Sequence, residues 1–239
     1  MKLQDFKEMI RRTLFCASGG NTVSFRGVLL EKKKGELVMV ATNNRLVGFA
    51  SKTVGDGFPD FDGVLVPPEA LEKIAERKQD TAVFAISFSG ETINFHIASA
   101  CISVEAQQGA FPRLPRNGKD FLEDIFPPFW AAVNRQSLLE ALGMVSVILE
   151  HSNRLHLAFS EGTVTLRTFE EEDSAATEVP CDYAGESVEI AVNMQYFTQM
   201  LEHIDEKCVD LRFDSGKTLA VLPLQREDYH FFLAQMKLD

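Results

Sequence analysis

Ala82-Val83-Phe84-Ala85-Ile86-Ser87-Phe88, a turn at Gly90, and Thr92-Ile93-Asn94-Phe95-His96-Ile97 form the stretch that decides the fold. Apolar and polar side chains alternate on both sides of the glycine, so the segment predicts an antiparallel hairpin with one buried face. Working outward, the hairpin closes a series. A helix-like segment from Leu3 to Ser18 comes first, then the strand pair Val28-Leu29-Leu30 and Leu37 to Ala41, then a second helix from Pro68 to Lys78. The same order returns about 125 residues later. Helix Gln136 to Glu150 is followed by strands Leu155 to Phe159 and Val164 to Phe169, helix Met194 to Glu206, and strands Val209 to Phe213 and Leu219 to Leu222. Gly35 and Gly162, and Gly90 and Gly216, fall at matching turns. A duplicated chain has a pseudo-symmetry axis, which favours curved or ring-like assemblies over one buried active site.

The 239 residues suffice for two domains, each with its own core. Between the copies, Gly109-Ala110-Phe111-Pro112-Arg113-Leu114-Pro115-Arg116-Asn117-Gly118 and the stretch from Phe121 to Trp130 read as a linker. Its apolar residues Phe111, Leu114, Phe126 and Trp130 predict that it packs. The boundary is placed at 1–120 and 121–239.

Composition excludes several classes. Hydrophobic residues make up 45% and charged residues 25%, ordinary for a globular protein. No apolar run approaches the roughly 20 residues of a membrane span. The opening Met1-Lys2-Leu3-Gln4-Asp5 does not read as a secretory signal, so a cytoplasmic protein is expected. Cys16, Cys101, Cys181 and Cys208 are scattered without metal-ligand spacing, and are expected as reduced thiols, with no metal and no cofactor. His151 and His156 stand five apart, off the spacing of a helical ligand pair. No nucleophile elbow, zinc-protease or phosphate-loop motif occurs, and carboxylate pairs such as Glu171 and Glu172 sit in polar segments where nothing would tune them for acid–base work. An enzyme is not expected.

The net charge of −11 opposes non-specific nucleic-acid binding, yet the charge is uneven. The first helix sets Phe6, Met9, Ile10, Thr13 and Leu14 on one stripe and Lys7, Arg11 and Arg12 elsewhere. The second sets Leu71, Ile74 and Ala75 inward and Lys73, Arg77 and Lys78 outward. These cations are either a solvated face balanced by Glu8, Glu72 and Glu76 or a phosphate-facing surface. Helix 136–150 is apolar nearly all round and must be covered on more than one side. Lys32-Lys33-Lys34-Gly35 reads as a solvated turn, and Glu170 to Asp173 as a solvated hairpin end.

Several segments, in order, resemble the bacterial DNA sliding clamp, the beta subunit of DNA polymerase III. The first copy resembles its middle domain through Gly27-Val28-Leu29-Leu30, Val40-Ala41-Thr42-Asn43-Asn44-Arg45-Leu46, Val64-Leu65-Val66-Pro67 and Gly109-Ala110-Phe111-Pro112. The second resembles its last domain through Ile148-Leu149, Tyr183-Ala184-Gly185-Glu186, Ile190-Ala191-Val192-Asn193 and Phe232-Leu233-Ala234-Gln235-Met236-Lys237-Leu238.

The resemblance implies an α+β fold of two tandem clamp domains, each with helices on one face of antiparallel sheets. It implies a non-catalytic processivity factor that surrounds double-stranded DNA without reading sequence. Polymerase and clamp-loader partners would carry a short apolar peptide docking between the middle and last domains. Carried over by motif position, the peptide residues are Phe25, Thr42, Asn44, Leu46, Pro112, Arg116, Thr218, Phe232, Leu233, Ala234, Gln235, Met236 and Lys237; ordinary packing is the other reading for them. Lys7, Arg11, Arg12, Lys73, Arg77 and Lys78 would face DNA, and Ile148 and Leu149 would lie on a subunit interface.

The sequence departs from the family around Asn43-Asn44, one residue short, and at Gln235, where a proline is usual. The family's first domain has no counterpart here. A ring then requires three copies of a two-domain chain; the alternative is a shortened, monomeric client-binding module that does not encircle DNA.

Overall fold

The computed structural model describes residues 1–17, 27–55, 58–107, 111, 128–148, 152–170, 173–214 and 217–238, without the side chains of Lys33 and Glu170. The fold is α+β, and the chain divides into two compact units, Met1–Gly118 and Lys119–Asp239.

Unit 1 opens with α1 (Leu3–Thr13), which buries Leu3, Phe6, Met9, Ile10 and Thr13, the spacing of one helical face. Strands β1 (Val28–Lys33), β2 (Glu36–Thr42), β3 (Leu46–Thr53) and β4 (Phe61–Val66) form an antiparallel sheet in the order β3-β2-β1-β4. The β1–β2 turn places Lys34 and Gly35 at φ 51° and 78°, the double left-handed geometry that suits a tight hairpin. Gly48 lets α1 lie close on β3: a Cβ there would stand 2.7 Å from Cys16 Sγ and 3.1 Å from the Arg12 carbonyl oxygen. Helix α2 (Pro68–Ala75) buries Ala70, Leu71 and Ile74. A second sheet follows, β5 (Phe84–Ser89), β6 (Thr92–Ile97) and β7 (Ala100–Glu105) in sequential order. Phe6 stacks on Phe84 with centroids 4.1 Å apart, joining α1 to that sheet.

Unit 2 repeats the series. β8 (Phe129–Asn134) precedes α3 (Arg135–Val145). Then come β9 (Arg154–Ser160), β10 (Thr163–Glu170), β11 (Asp173–Asp182) and β12 (Val188–Asn193), helix α4 (Met194–Glu202), and β13 (Cys208–Phe213), β14 (Thr218–Pro223) and β15 (Tyr229–Ala234). The order β12-β9-β10-β11 mirrors β4-β1-β2-β3, and β13-β14-β15 mirrors β5-β6-β7. Unit 2 joins its two sets through β8, which pairs with β13 along its length and with β11 at Cys181 and Asp182. Among the described residues of unit 1 the counterpart of β8 is a single bridge, between Lys2 and Val83. The unit 2 core centres on Phe213, stacked on Phe159 at 3.9 Å and Phe129 at 5.8 Å.

Several expectations need correcting. The first helix ends at Thr13 and continues only as a 3-10 turn to Cys16, and the second ends at Ala75. Lys32 is not solvated: it is 5% exposed, with Nζ 2.5 Å from Asp60 Oδ1. Trp130 lies in β8 and is 53% exposed, so it does not pack as the linker reading required. Helix α3 buries Leu138, Ala141, Leu142 and Val145 but leaves Met144 exposed, as is Val147 beyond it; one side of this segment is bare.

Candidate functional site

The six cations expected to face phosphate are differently placed. Arg12 is 1% exposed, and its Nη2 lies 3.4 Å from Glu8 Oε1. It turns with the apolar face of α1, where no phosphate reaches it, so its assignment to a DNA-facing set fails. Lys7 is half-buried; its Nζ donates to Asp80 Oδ1 at 2.6 Å and to the Arg77 carbonyl oxygen at 2.9 Å, fastening α1 to the segment after α2. Arg11, Lys73, Arg77 and Lys78 are exposed. Arg77 and Lys78 lie beyond the end of α2, so their spacing from Lys73 is not that of one helical face.

In the turn between β2 and β3, Thr42 is buried. Its hydroxyl donates to the Leu46 carbonyl at 2.8 Å and accepts from the Asn44 amide at 3.0 Å. Asn43 Oδ1 accepts from the amides of Arg45 and Leu46, and Asn44 adopts φ 70°. Leu46 is fully buried, whereas Asn44 is exposed. The local reason for Thr42-Asn43-Asn44 is therefore turn chemistry.

In unit 2, Phe232 and Leu233 are buried along β15. Thr218 pairs in register with exposed Ala234. Gln235 Nε2 donates to the carbonyl oxygens of Asp214 and Thr218, at 2.8 and 3.1 Å. The Met236 amide donates to the Ala191 carbonyl at 2.7 Å, laying the tail along β12 with Met236 half-buried and Lys237 and Leu238 exposed. Ile148 is half-buried beside Val147, which is 81% exposed. Phe25, Pro112, Arg116 and Leu149 lie outside the described residues.

All four cysteines are free thiols. Burial raises the Cys16 thiol well above its ordinary value, and burial with the neighbouring Asp182 carboxylate pushes Cys181 to about 11. Burial lowers His230 to about 4, so it is neutral at pH 7. Among the described residues no cluster of three or more His, Cys, Asp or Glu is placed to hold a metal ion.

Unit 2 carries one further feature that belongs to none of the motifs. A cleft of about 470 Å³ opens on the outer face of β9, β10 and β12, lined by Arg154, His156, Arg167, Phe169 and Glu189 with Leu238 from the tail. Its signal was the alternation of β9 and β10, where the outward positions carry arginine, histidine and phenylalanine.

Two helix-and-sheet units with repeated topology define the architecture of a DNA clamp, and solved clamps share it. The sliding clamp from Pseudomonas aeruginosa superposes with a TM-score of 0.87 at 23% identity, covering 100% of this chain and 66% of that one. The beta subunit from Thermotoga maritima gives 0.88 at 19% identity, covering 100% and 65%.

Residues 129–237 match the family of DNA polymerase III beta subunit, C-terminal domain. That match spans most of unit 2, and the chain as a whole is similar to bacterial beta sliding clamps. The beta sliding clamp of Treponema pallidum is 27% identical over 243 aligned residues, 98% of this chain and 64% of that protein. A beta sliding clamp homolog from Streptomyces muensis is 28% identical over 70% of this chain. The chain thus spans 64% of the length of the first of these relatives and 44% of the second, less than two thirds of either.

Proposed function

We propose that this chain works as a sliding-clamp protein, a non-catalytic processivity factor that holds replication or repair polymerases on DNA and does so in the cytoplasm. The observation that carries the reading is similarity to sliding clamps along 98% of the chain, supported by a topology repeated in both units. Client proteins would be captured through a short apolar peptide. Of the residues assigned to that role, Asn44 in unit 1 and Thr218, Ala234, Gln235, Met236 and Lys237 in unit 2 keep exposed or half-exposed side chains. Met236 is the apolar anchor of this set, and the backbone of an extended ligand supplies the polar contacts. Arg11, Lys73, Arg77 and Lys78 would meet phosphates without base readout. Exposed Met144 and Val147, with Ile148, form an apolar surface that a second copy would cover.

Retention on DNA after clamp loading tests the ring. A ring stays on circular DNA and slides off linear DNA, whereas equal retention on both rejects it. A fluorescein-labelled peptide rich in leucine and phenylalanine tests capture, and Met236→Ala should weaken its binding by roughly tenfold.

The burial of Arg12 and the pairing of Lys7 favour a second reading, a client-binding module that does not encircle DNA. Sedimentation separates the two, since a closed trimer supports the ring and a monomer at micromolar concentration supports the module.

A further inference from the structure

The cleft on the outer face of β9, β10 and β12 plays no part in the clamp reading. The inner faces of β9 and β10 hold buried Leu155, Leu157, Phe159, Val164 and Leu166, so the alternate residues face out. Arg167 pairs in register with His156, and Arg154 lies two residues before His156 on the same side of β9. The two arginines are thus diagonal cross-strand neighbours, close enough for their charges to repel. Neither guanidinium has a hydrogen-bond or ion-pair partner among the described residues. Among the described residues the one carboxylate lining the cleft is Glu189, whose Oε1 lies 2.9 Å from His156 Nδ1. His156 points outward yet is only 7% exposed, held beneath the edge of the Phe169 ring at 5.1 Å. Phe169 and Leu238 leave about half their surface bare, 51% and 49% exposed, so unpaired cations and apolar walls share one concavity.

We propose that this cleft binds an acidic segment of a partner protein in extended conformation, its carboxylates taken by Arg154 and Arg167 and an apolar side chain two residues further on resting against Phe169 and Leu238. Guanidinium forks match carboxylates in geometry and charge. An extended chain returns to the same face every second residue, about 7 Å on, which is the spacing of diagonal neighbours in a sheet. A polynucleotide fits worse. Duplex DNA carries a charge about every 1.7 Å, and the surrounding unit is strongly acidic, whereas a short peptide brings only a few carboxylates.

Fluorescence anisotropy with the full chain tests this. The probes are a labelled peptide with two aspartates and then a leucine at every second position and serine between, its counterpart with asparagine for aspartate, and a labelled oligothymidylate. The aspartate peptide should bind, and the asparagine peptide should bind at least tenfold more weakly. Each of Arg154→Gln and Arg167→Gln should weaken binding by roughly tenfold, since each removes a charge-assisted pair. Glu189→Gln should tighten it several-fold by removing a negative charge from the cleft wall. Circular dichroism should show all three variants folded, because the substitutions lie on the outer face. Absence of binding up to about 1 mM, equal binding by the arginine variants, or preference for the oligothymidylate would overturn the proposal.

Discussion

Unit 1 carries 15 lysines and arginines against 13 aspartates and glutamates, a net of +2, while unit 2 carries 9 against 22, a net of −13. The strand order is nevertheless the same in both. Topology here follows from buried positions, the alternating strands and the apolar helix stripes, which both units keep. Surface charge is free to diverge around that frame. The chain's overall −11 comes from unit 2, so the total says little about what unit 1 can approach. A second difference lies at the seam of the sheets. Unit 2 has a six-residue strand, β8, where unit 1 has one bridge at Lys2.

If both units are held by the same device, truncating the central aromatic of either should cost a similar amount. Phe213→Ala removes the ring stacked between Phe159 and Phe129, and Phe84→Ala removes the ring stacked on Phe6. Each should lose about 3–5 kcal/mol in denaturant unfolding followed by near-ultraviolet circular dichroism. A loss below about 1 kcal/mol in either would show that its aromatic cluster is peripheral and that the two cores differ in kind.

Acid should separate the units next. His230, in unit 2, is held at about 4 by burial, against 6.5 for the ordinary side chain. Between those values the unfolded chain binds a proton that the folded chain refuses, so stability falls as pH drops from 6.5 to 4 and is fully present above 6.5. The loss is of the order of 3 kcal/mol. His230→Phe, which keeps an aromatic ring against Phe232, should flatten that part of the stability–pH curve. An unchanged slope would assign it to other groups.

How much of this could be read from the chain alone depended on the kind of signal. Hairpin 82–97 and strands 155–169 were legible because apolar residues alternate without interruption. β11 (Asp173–Asp182) was not: its residues are small, acidic or exposed, and pairing with β10 rather than burial makes it a strand. β15 was visible only as a motif, since Tyr229-His230-Phe231-Phe232-Leu233 is buried on both faces and shows no period. Charge alone does not place Arg12, since an arginine can bury its stem and pair within the helix, as here with Glu8. The cleft at Arg154 and Arg167 is not legible in this way because it is a property of register, which makes residues 13 positions apart in the sequence diagonal neighbours.

The helix starts of the two units differ as well. In unit 2 both helices have an asparagine at the N-cap: Asn134 Oδ1 accepts from the Ser137 amide at 3.0 Å and Asn193 Oδ1 from the Tyr196 amide at 3.1 Å. In unit 1 the equivalent residues are Lys2 and Pro67, and neither gives a side-chain cap. Asn134→Ala and Asn193→Ala should each cost about 1 kcal/mol in unfolding experiments. No loss would mean that backbone acceptors suffice in both units.

The smallest effect is the reverse exchange, Lys2→Asn. Lys2 already has the extended backbone of a cap residue, φ −83° and ψ 149°, so asparagine fits without strain. Its carboxamide would reach the Asp5 amide, the position that Asn134 serves through Ser137. The gain is limited because the first amides of α1 are occupied: Leu3 donates to the Ala82 carbonyl at 2.9 Å, Gln4 to Asp80 at 3.0 Å, and Asp5 to Lys2 at 3.2 Å. Only the last and longest of these would be replaced, so a stabilisation of about 0.3–0.5 kcal/mol is expected, read as a small rise in melting temperature. Losing the lysine costs nothing visible at its exposed head group. A rise as large as the loss in Asn134→Ala would mean that the carbonyls of Ala82 and Asp80 do not cap α1. A fall would mean that the Lys2 bridge to Val83 depends on its side chain, and unit 1 would then be fastened at the point where unit 2 uses a whole strand.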